Sequence, residues 1–287
     1  MSTNTLPPHL TTWLLDQLGR GTPPGTLVTW LEREGIRPSL AARVVRDAMT
    51  GKRPPLPDAA VPGPVSESTT YWPAAFPFQE QHEAEFEGQR VRVLGRLDAP
   101  AVALLDGVLS ESECEAIIAL AQPRLSRSEV VDPLSGGYRQ DTARSSDGTA
   151  LDTSPSPWLA RLQARMAWLT GLPLAHAEGL QVLRYRAGGE YLPHHDYFDL
   201  AAPEGGQRCA TLVTYLSDVE VGGETIFPLP GLRFSPRRGM AVYFAYGAPG
   251  RSLDARSLHA GLPVGQGEKW IATQWMRDRP RLQRSGN

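Results

Sequence analysis

The chain has 287 residues, 41% of them apolar and 21% charged, which is enough apolar material to bury a core. Its 29 basic and 31 acidic residues give a net charge of −2, a balance that argues against a general nucleic-acid binder. No apolar run approaches the roughly 20 residues of a membrane span, and the first residues do not resemble a signal peptide. Two cysteines, Cys114 and Cys209, form neither a disulfide framework nor a CxxC metal site, so we expect a protein of the reducing cytoplasm.

The first 50 residues have the pattern of a small helical unit. Apolar residues recur at helical spacing over residues 8–20 and again over 26–35. A third helix is expected from about residue 38 to 49. We therefore predict a compact N-terminal helical unit over 1–50. Helical units of this kind can bind partner molecules, and the pattern does not identify one.

A change of composition divides the rest of the chain. Residues 51–76 are rich in proline, which is typical of an extended linker. Glycine and proline remain frequent afterwards, but now they separate short apolar runs. We expect the main domain over 77–287, with its core at about 100–280.

Short strands dominate the main domain. Two helices are also expected there, one capped by Ser110 and one over Pro157–Leu169. The strand-like runs are VRVLGRL, VALLDGVL, LQVLRYRA, GEYLPHHDYF, CATLVTYLSD, GMAVYFAYG and KWIATQWMRD. Short strands at such spacing are typical of a sandwich or barrel of the jelly-roll type.

The sequence LPHHDYF contains the clearest chemical signal. On a strand, residues two apart point to the same face, so His194 and Asp196 project together and His195 points away. One imidazole and one carboxylate form two-thirds of a facial triad for non-haem Fe(II). Since a jelly roll brings distant strands together, His259 is the candidate for the third ligand. The His-x-Asp pattern alone is a weak signal, because a strand histidine is more often merely hydrogen-bonded, and the distant His259 strengthens it.

Lys269 lies in the otherwise apolar strand KWIATQW. An inward lysine is costly unless an anion pairs with it. The far carboxylate of 2-oxoglutarate is such an anion, because its 1-carboxylate and keto oxygen chelate iron. The residue pattern alone favours a second interpretation, in which Lys269 points to solvent from an edge strand.

At this point the motifs resemble a known family. The stretches LQVLRYRAGGEYLPHHDYFD, RCATLVTYLSDVEVGGETIFP and SLHAGLPVGQGEKWIATQWM are similar to the catalytic core of the prolyl 4-hydroxylase family of Fe(II)/2-oxoglutarate dioxygenases. GVLSESECEAIIALAQPRLSRSEVVD and ARSSDGTAL fit the same family, so the resemblance covers roughly residues 100–280. It implies a mainly β fold with flanking helices, a double-stranded β-helix (jelly roll), beside the N-terminal helical unit, which it does not cover.

The resemblance also implies roles for individual residues. The implied iron ligands are His194, Asp196 and His259. The implied cosubstrate residues are Lys269 for the distal carboxylate, Tyr185 and Thr225 as hydrogen-bonding residues, and Trp275 as an aromatic wall. The positions similar to the family's peptide-binding set are Arg144, Ser146, Glu178, Gln181, Tyr191 and Arg208. Two positions depart from the pattern: Arg277 stands where many members have histidine, and Leu262 replaces a frequent cysteine.

The reaction implied is hydroxylation of a C–H bond, in the first place of a prolyl residue in a peptide or protein, with release of succinate and CO2. It implies Fe(II), 2-oxoglutarate and O2, with ascorbate as the reductant. A carboxylate at Asp196, rather than alanine or glycine, favours hydroxylation over halogenation. Two alternatives stay open: a hydroxylase of a free amino acid or small metabolite, and a non-catalytic binding protein on the same scaffold.

Overall fold

The structure is a computed structural model, and it describes residues 13–15, 17–18, 22, 24–33, 41, 44–45, 48, 76–127, 129–131, 138–140, 145–151, 156–198, 206–247 and 254–280. The predicted linker lies outside these residues, apart from Phe76. Phe76 is buried, with its ring centroid 5.1 Å from that of Tyr243. Among the described residues, no helix is long and apolar enough to cross a membrane.

Three α-helices have bounds within the described residues: α1 (Pro24–Arg33), α2 (Glu111–Ala121) and α3 (Pro157–Leu169). Ser110 caps α2 as predicted, because its hydroxyl accepts from the Glu113 amide at 3.2 Å. The Glu113 carboxylate accepts from the Ser110 amide in return, at 2.8 Å. This reciprocal pair satisfies two amides that the helix itself leaves without partners.

Strands are the commonest regular elements in the rest of the described structure. They are β1 (Glu83–Phe86), β2 (Gln89–Asp98), β3 (Ala101–Asp106), β4 (Ser126–Arg127), β5 (Glu129–Val131), β6 (Tyr138–Gln140), β7 (Asp147–Leu151), β8 (Leu180–Tyr185), β9 (Tyr191–His194), β10 (Arg208–Tyr215), β11 (Val221–Gly222), β12 (Thr225–Phe227), β13 (Leu232–Phe234), β14 (Ala241–Ala245), β15 (His259–Gly261), β16 (Val264–Gln266) and β17 (Lys269–Arg277).

Two sheets form the body of the domain. The larger sheet has nine strands in the order β1-β2-β3-β14-β10-β17-β8-β7-β4, and the smaller has four in the order β13-β12-β15-β9. Two short pairs, β11-β16 and β5-β6, lie beside them. Every pairing in the described residues is antiparallel, with large jumps in sequence between neighbours, which is the connectivity of a jelly roll.

The larger sheet is covered on both faces. One face packs on α2 and α3 in a core that includes Ile117, Leu162 and Leu212. The other face joins the smaller sheet in a second core, where Phe227 of β12 packs on Phe244 of β14. Because β10 lies between these layers, almost all of it is buried, including the polar residues Thr211 and Thr214. The expected jelly roll is confirmed.

The N-terminal helical unit packs around a third apolar cluster. Helical residues occur at 13–15 and 17–18, in α1, and at 41, 44–45 and 48, which agrees with the three expected helices. Trp13 packs on Trp30 of α1, with ring centroids 5.4 Å apart. This cluster includes Leu258 of the main domain.

Candidate active site

The smaller sheet positions both histidines of the predicted triad. His194 ends β9, and its register partner on β15 is His259. Strand β9 is an edge strand, which explains how Pro193, with no amide hydrogen, is tolerated within it. The predicted strand over GEYLPHHDYF is wrong beyond His194, because the chain bends there. Asp196 is turned towards the histidines by this bend, and not by the alternation of side chains along a continuous strand.

The three side chains converge on one point. Their ligand atoms lie within 4.8 Å of one another, and among the described residues this is the one such group. Asp196 Oδ1 is 3.6 Å from His194 Nε2, and Asp196 Oδ2 is 3.6 Å from His259 Nε2. Each Nδ1 is engaged by a backbone carbonyl, that of Leu192 at 2.7 Å and that of Ser257 at 3.0 Å. Both Nε2 atoms are therefore the ones directed at a metal.

Burial and charge set the protonation of this group. Burial and the neighbouring His194 lower the pKa of His259 to about 3, so its ring is neutral, as metal ligation requires. Burial opposes ionisation of Asp196, but the two histidines and Arg208 outweigh it and hold the pKa of Asp196 well below its usual range. Two neutral imidazoles and a carboxylate match the donor set of a non-haem Fe(II) facial triad.

Two residues that the sequence analysis missed hold the Asp196 carboxylate. The Thr211 hydroxyl donates to Asp196 Oδ2 at 2.8 Å, and the Tyr246 hydroxyl donates to the same oxygen at 3.2 Å. The two hydroxyls also contact each other. Burial raises the pKa of Tyr246 well above its usual range, so it remains a donor. A polar residue on the inward face of an apolar strand was the available signal for Thr211.

Replacing Thr211 with valine is expected to weaken Fe(II) binding by about 10–100-fold, since outer hydrogen bonds orient metal ligands. Valine keeps the shape and removes the hydroxyl. Thr214→Val is the matched control, because Thr214 is equally buried on β10 and its hydroxyl has no partner among the described residues. Titration with Mn(II) measures the metal affinity of both variants. Equal affinities in the two would contradict a role for the Thr211 hydroxyl.

A pocket extends from the triad into the space between the sheets. Its lining residues are Leu183, Tyr185, Tyr191, His194, Asp196, Val213, Thr225, His259, Ala260, Gly261, Lys269, Ile271, Thr273 and Trp275. All four residues expected to contact the cosubstrate are among them. The hydroxyl of Thr225 accepts a hydrogen bond from Tyr215 at 2.8 Å, a further contact that the sequence analysis missed.

Lys269 is the cation of this pocket. It begins β17, which lies between β10 and β8 and is not an edge strand, and it is only 4% exposed. Its Nζ lies 5.8 and 5.7 Å from the ring centroids of Tyr185 and Tyr215, and within the described part of the chain no carboxylate lies within 4 Å of it. Burial lowers the pKa of Lys269 to about 8, although Glu224 acts in the opposite direction. The solvent-facing interpretation is wrong, and a buried ammonium without a close anion is what a ligand carboxylate would satisfy.

A buried ion network forms the wall next to Asp196. Arg208 binds Glu178 through two hydrogen bonds of 2.8 and 3.0 Å, and its third nitrogen donates to the Asp196 carbonyl at 3.3 Å. Arg277 donates to Glu178 at 2.8 Å, so the unusual arginine of this chain belongs to the same network. Burial opposes ionisation of Glu178, but the two arginines hold its pKa below the usual value. The Arg208 guanidinium lies 3.8 Å from the ring centroid of Trp275.

The other described residues predicted for a peptide groove lie outside this ion network. Tyr191 stacks on His194 with ring centroids 3.6 Å apart and lines the pocket. Ser146 is fully buried, and Gln181 on β8 is partly buried. Arg144 lies outside the described residues.

Comparison with known proteins supports this geometry. Residues 180–277 match the model of the 2OG-Fe(II) oxygenase superfamily. A probable prolyl 4-hydroxylase 3 of Arabidopsis thaliana is 40% identical over 198 residues, which are 62% of this chain and 69% of the relative. The prolyl 4-hydroxylase subunit alpha-2 of Gallus gallus is 38% identical over 186 residues, 63% of this chain and 35% of that protein.

A solved structure is also similar. The viral collagen prolyl hydroxylase of Paramecium Bursaria Chlorella virus-1, in a 2OG complex, has 33% sequence identity and a TM-score of 0.50, covering 61% of this chain and 95% of that one. Fold and site together define a 2-oxoglutarate-dependent Fe(II) dioxygenase with a double-stranded β-helix. The chain belongs to the prolyl 4-hydroxylase family.

Proposed function

We propose that this protein hydroxylates a C–H bond of a prolyl residue in a peptide or protein, using Fe(II), 2-oxoglutarate and O2. The observation that carries the proposal is a single pocket lined both by a His–Asp–His donor set and by a buried lysine without a close anion. A keto acid with a second, distant carboxylate has the two binding ends that this pocket needs.

Each part of the pocket has a role in this proposal. His194, Asp196 and His259 would hold Fe(II), and Lys269 would pair with the distal carboxylate of 2-oxoglutarate. When bound, the metal and cosubstrate supply an oxidant made from O2, while 2-oxoglutarate becomes succinate and CO2. The pocket between the sheets has apolar walls that include Leu183, Val213 and Ile271.

Tyr185, Thr225 and Trp275 would complete the cosubstrate pocket. Tyr185 and Thr225 would offer their hydroxyls to 2-oxoglutarate, and all three side chains line the pocket. Thr225 already accepts from Tyr215, which leaves its own hydrogen free to be donated to a ligand.

The prolyl substrate is supported by the aromatic surfaces beside the triad. A prolyl residue has no amide hydrogen and presents an apolar ring, so aromatic faces are its usual recognition surface. Tyr191, against His194, and Trp275, under Arg208, provide such faces. The relatives named above are prolyl hydroxylases by their printed names, which favours the same substrate here.

Four of the remaining groove residues are proposed to bind the peptide around that proline: Arg144, Glu178, Gln181 and Arg208. The fully buried Ser146 is proposed to act from behind this surface, without touching the peptide. The Arg277 side chain adds a second cation beside Glu178, and this distinguishes the groove of this chain. We also propose the cytoplasm as the compartment, on the basis of the buried free thiols of Cys114 and Cys209. Ascorbate is the proposed reductant, and the division into 1–50, 51–76 and 77–287 is the proposed domain organisation.

Succinate formation tests the function directly. The purified protein is incubated with Fe(II), ascorbate and 2-oxoglutarate, with and without a pool of proline-rich peptides, and mass spectrometry locates added oxygen. Peptide-stimulated succinate with oxygen on proline is the expected result. Succinate that peptides do not stimulate would favour a free amino acid or small metabolite instead. Metal binding without succinate would favour the non-catalytic binding protein.

The pH dependence of 2-oxoglutarate binding follows from Lys269. Burial lowers the pKa of Lys269 to about 8, and only the protonated amine pairs with a carboxylate. The apparent KM for 2-oxoglutarate is therefore expected to be flat below about pH 8 and to rise above it, by up to about tenfold per pH unit. The Lys269 amine faces the rings of Tyr185 and Tyr215, and the charge of Glu224 acts to raise its pKa.

Lys269→Arg is the control for this profile, because arginine remains protonated throughout the range. The KM of this variant for 2-oxoglutarate is expected to stay constant with pH. Its absolute value depends on how well the larger arginine side chain fits the pocket. A rise of the same steepness in both proteins would assign the pH dependence to another group.

A further inference from the structure

The N-terminal helical unit shares its apolar core with the segment that precedes the third metal ligand. The buried side chains of the unit are Trp13, Leu14, Leu27, Leu31, Ala41, Val44 and Val45. Leu258 belongs to the same cluster and is 2% exposed, and Leu229 of the β12–β13 connection packs against it. The unit therefore packs on the residue just before β15, the strand that presents His259, and on the β12–β13 connection.

Leu258 directly follows a tight hydrogen-bonded turn over Ala255–Ser257. The amide and hydroxyl of Ser257 donate to the Asp254 carbonyl at 3.0 and 2.7 Å. The Asp254 amide donates to the Tyr246 carbonyl at 2.7 Å, which ties the turn to the strand region that holds Asp196. The Ser257 carbonyl stands 3.0 Å from Nδ1 of His259. A movement of Leu258 therefore moves the carbonyl that orients the imidazole.

We propose that the N-terminal helical unit is a positioning element for the metal centre, which fixes the Ser257–His259 segment through the side chain of Leu258. The local hydrogen bonds set the shape of the turn. The apolar cover keeps the Leu258 side chain in its place, because its release would expose Leu258 and the inner face of the unit to water. The unit thus raises the affinity of the triad for a divalent ion, without contributing a ligand.

This inference is tested by measuring metal affinity, which does not depend on catalytic turnover. The result is therefore informative even if the proposed hydroxylase activity is not found. Leu258→Ala and Leu31→Ala each remove a side chain of the shared cluster. Leu169→Ala is the matched control, since Leu169 is equally buried but belongs to the core between the larger sheet and the helices. Mn(II) serves as the redox-inert probe, and the electron paramagnetic resonance signal of the free ion gives its Kd.

We expect Leu258→Ala to raise the Kd for Mn(II) by about tenfold, a typical effect of loosening the support of a ligand. Leu31→Ala is expected to raise it severalfold, although Leu31 belongs to the helical unit and not to the triad or its turn. The control should stay within about twofold of the original Kd, since distant sites act independently. Equal Kd values in all folded variants would overturn the proposal, and so would an equal loss in the control.

A second measurement does not depend on any substitution. Coupling between two sites is reciprocal, so metal binding must stabilise the helical unit as much as the unit favours the metal. Hydrogen exchange of the amides in α1 is expected to slow when Mn(II) is added to the full chain. In His194→Ala, which lacks one ligand, the slowing should disappear. Exchange in α1 that Mn(II) leaves unchanged would overturn the proposal, even if Leu258→Ala fails to fold.

Discussion

Replacing His259 with alanine is expected to abolish metal-dependent succinate formation. His259 is one of three donors that converge within 4.8 Å, and its Nε2 faces Asp196. With two ligands left, Fe(II) affinity should fall by more than the roughly 10–100-fold that follows loss of an outer hydrogen bond. Succinate is measured at several Fe(II) concentrations, and Mn(II) binding is measured in parallel.

His82→Ala is the control for this experiment, because His82 is exposed. It is expected to keep both metal affinity and turnover. Circular dichroism establishes whether the His259→Ala protein is folded. Retained Fe(II)-dependent turnover in a folded His259→Ala protein would mean that the third ligand lies elsewhere.

The fold could be predicted from the sequence where local signals determine it. Helix α3 has the predicted bounds, and the Ser110 cap was read from residues three apart. The course of β9 could not be predicted, because its end depends on an edge position and on a bend at His194, neither of which changes the local alternation. Burial of Lys269 was missed by the residue pattern for the same reason. It depends on β17 being a central strand, which only the sheet order reveals.

The site residues also fall into a group that the sequence could predict and a group that it could not. Motif spacing pointed to the triad, because its ligand residues lie in short, distinctive sequences. The contacts of Thr211 and Tyr246 with Asp196 join segments 15 and 50 residues from it, and they depend on the pairing of β10 with β14. The contact of Arg208 with the Asp196 carbonyl is of this kind too. It makes one residue of the predicted peptide groove also a neighbour of the metal ligand, so substitutions there are expected to affect both metal and substrate.

Replacing Lys269 with methionine is expected to stabilise the protein and to impair 2-oxoglutarate binding. Methionine has a similar length and no charge. Burial lowers the pKa of Lys269 from 10.5 to about 8, so keeping the amine charged at neutral pH costs about 3 kcal/mol of folding stability. Removing that charge should raise the melting temperature of the ligand-free protein by several degrees. The gain should be full below about pH 8 and fade as the pH approaches 10.5, where the lysine is neutral in both folded and unfolded chains.

The opposite effect is expected on the cosubstrate. In the methionine variant the distal carboxylate is buried without a partner, which costs about 3–5 kcal/mol in comparable broken pairs. The KM for 2-oxoglutarate should therefore rise by at least about 100-fold, while the Kd for Mn(II) stays unchanged. A higher melting temperature together with an unchanged KM would show that the carboxylate binds elsewhere. A lower melting temperature with a raised KM would mean that Lys269 also supports the fold. A buried cation that serves to bind a ligand predicts both changes together, a higher melting temperature and a higher KM for 2-oxoglutarate. Such a cation destabilises the protein without the ligand, and the carboxylate of the ligand pairs with it on binding.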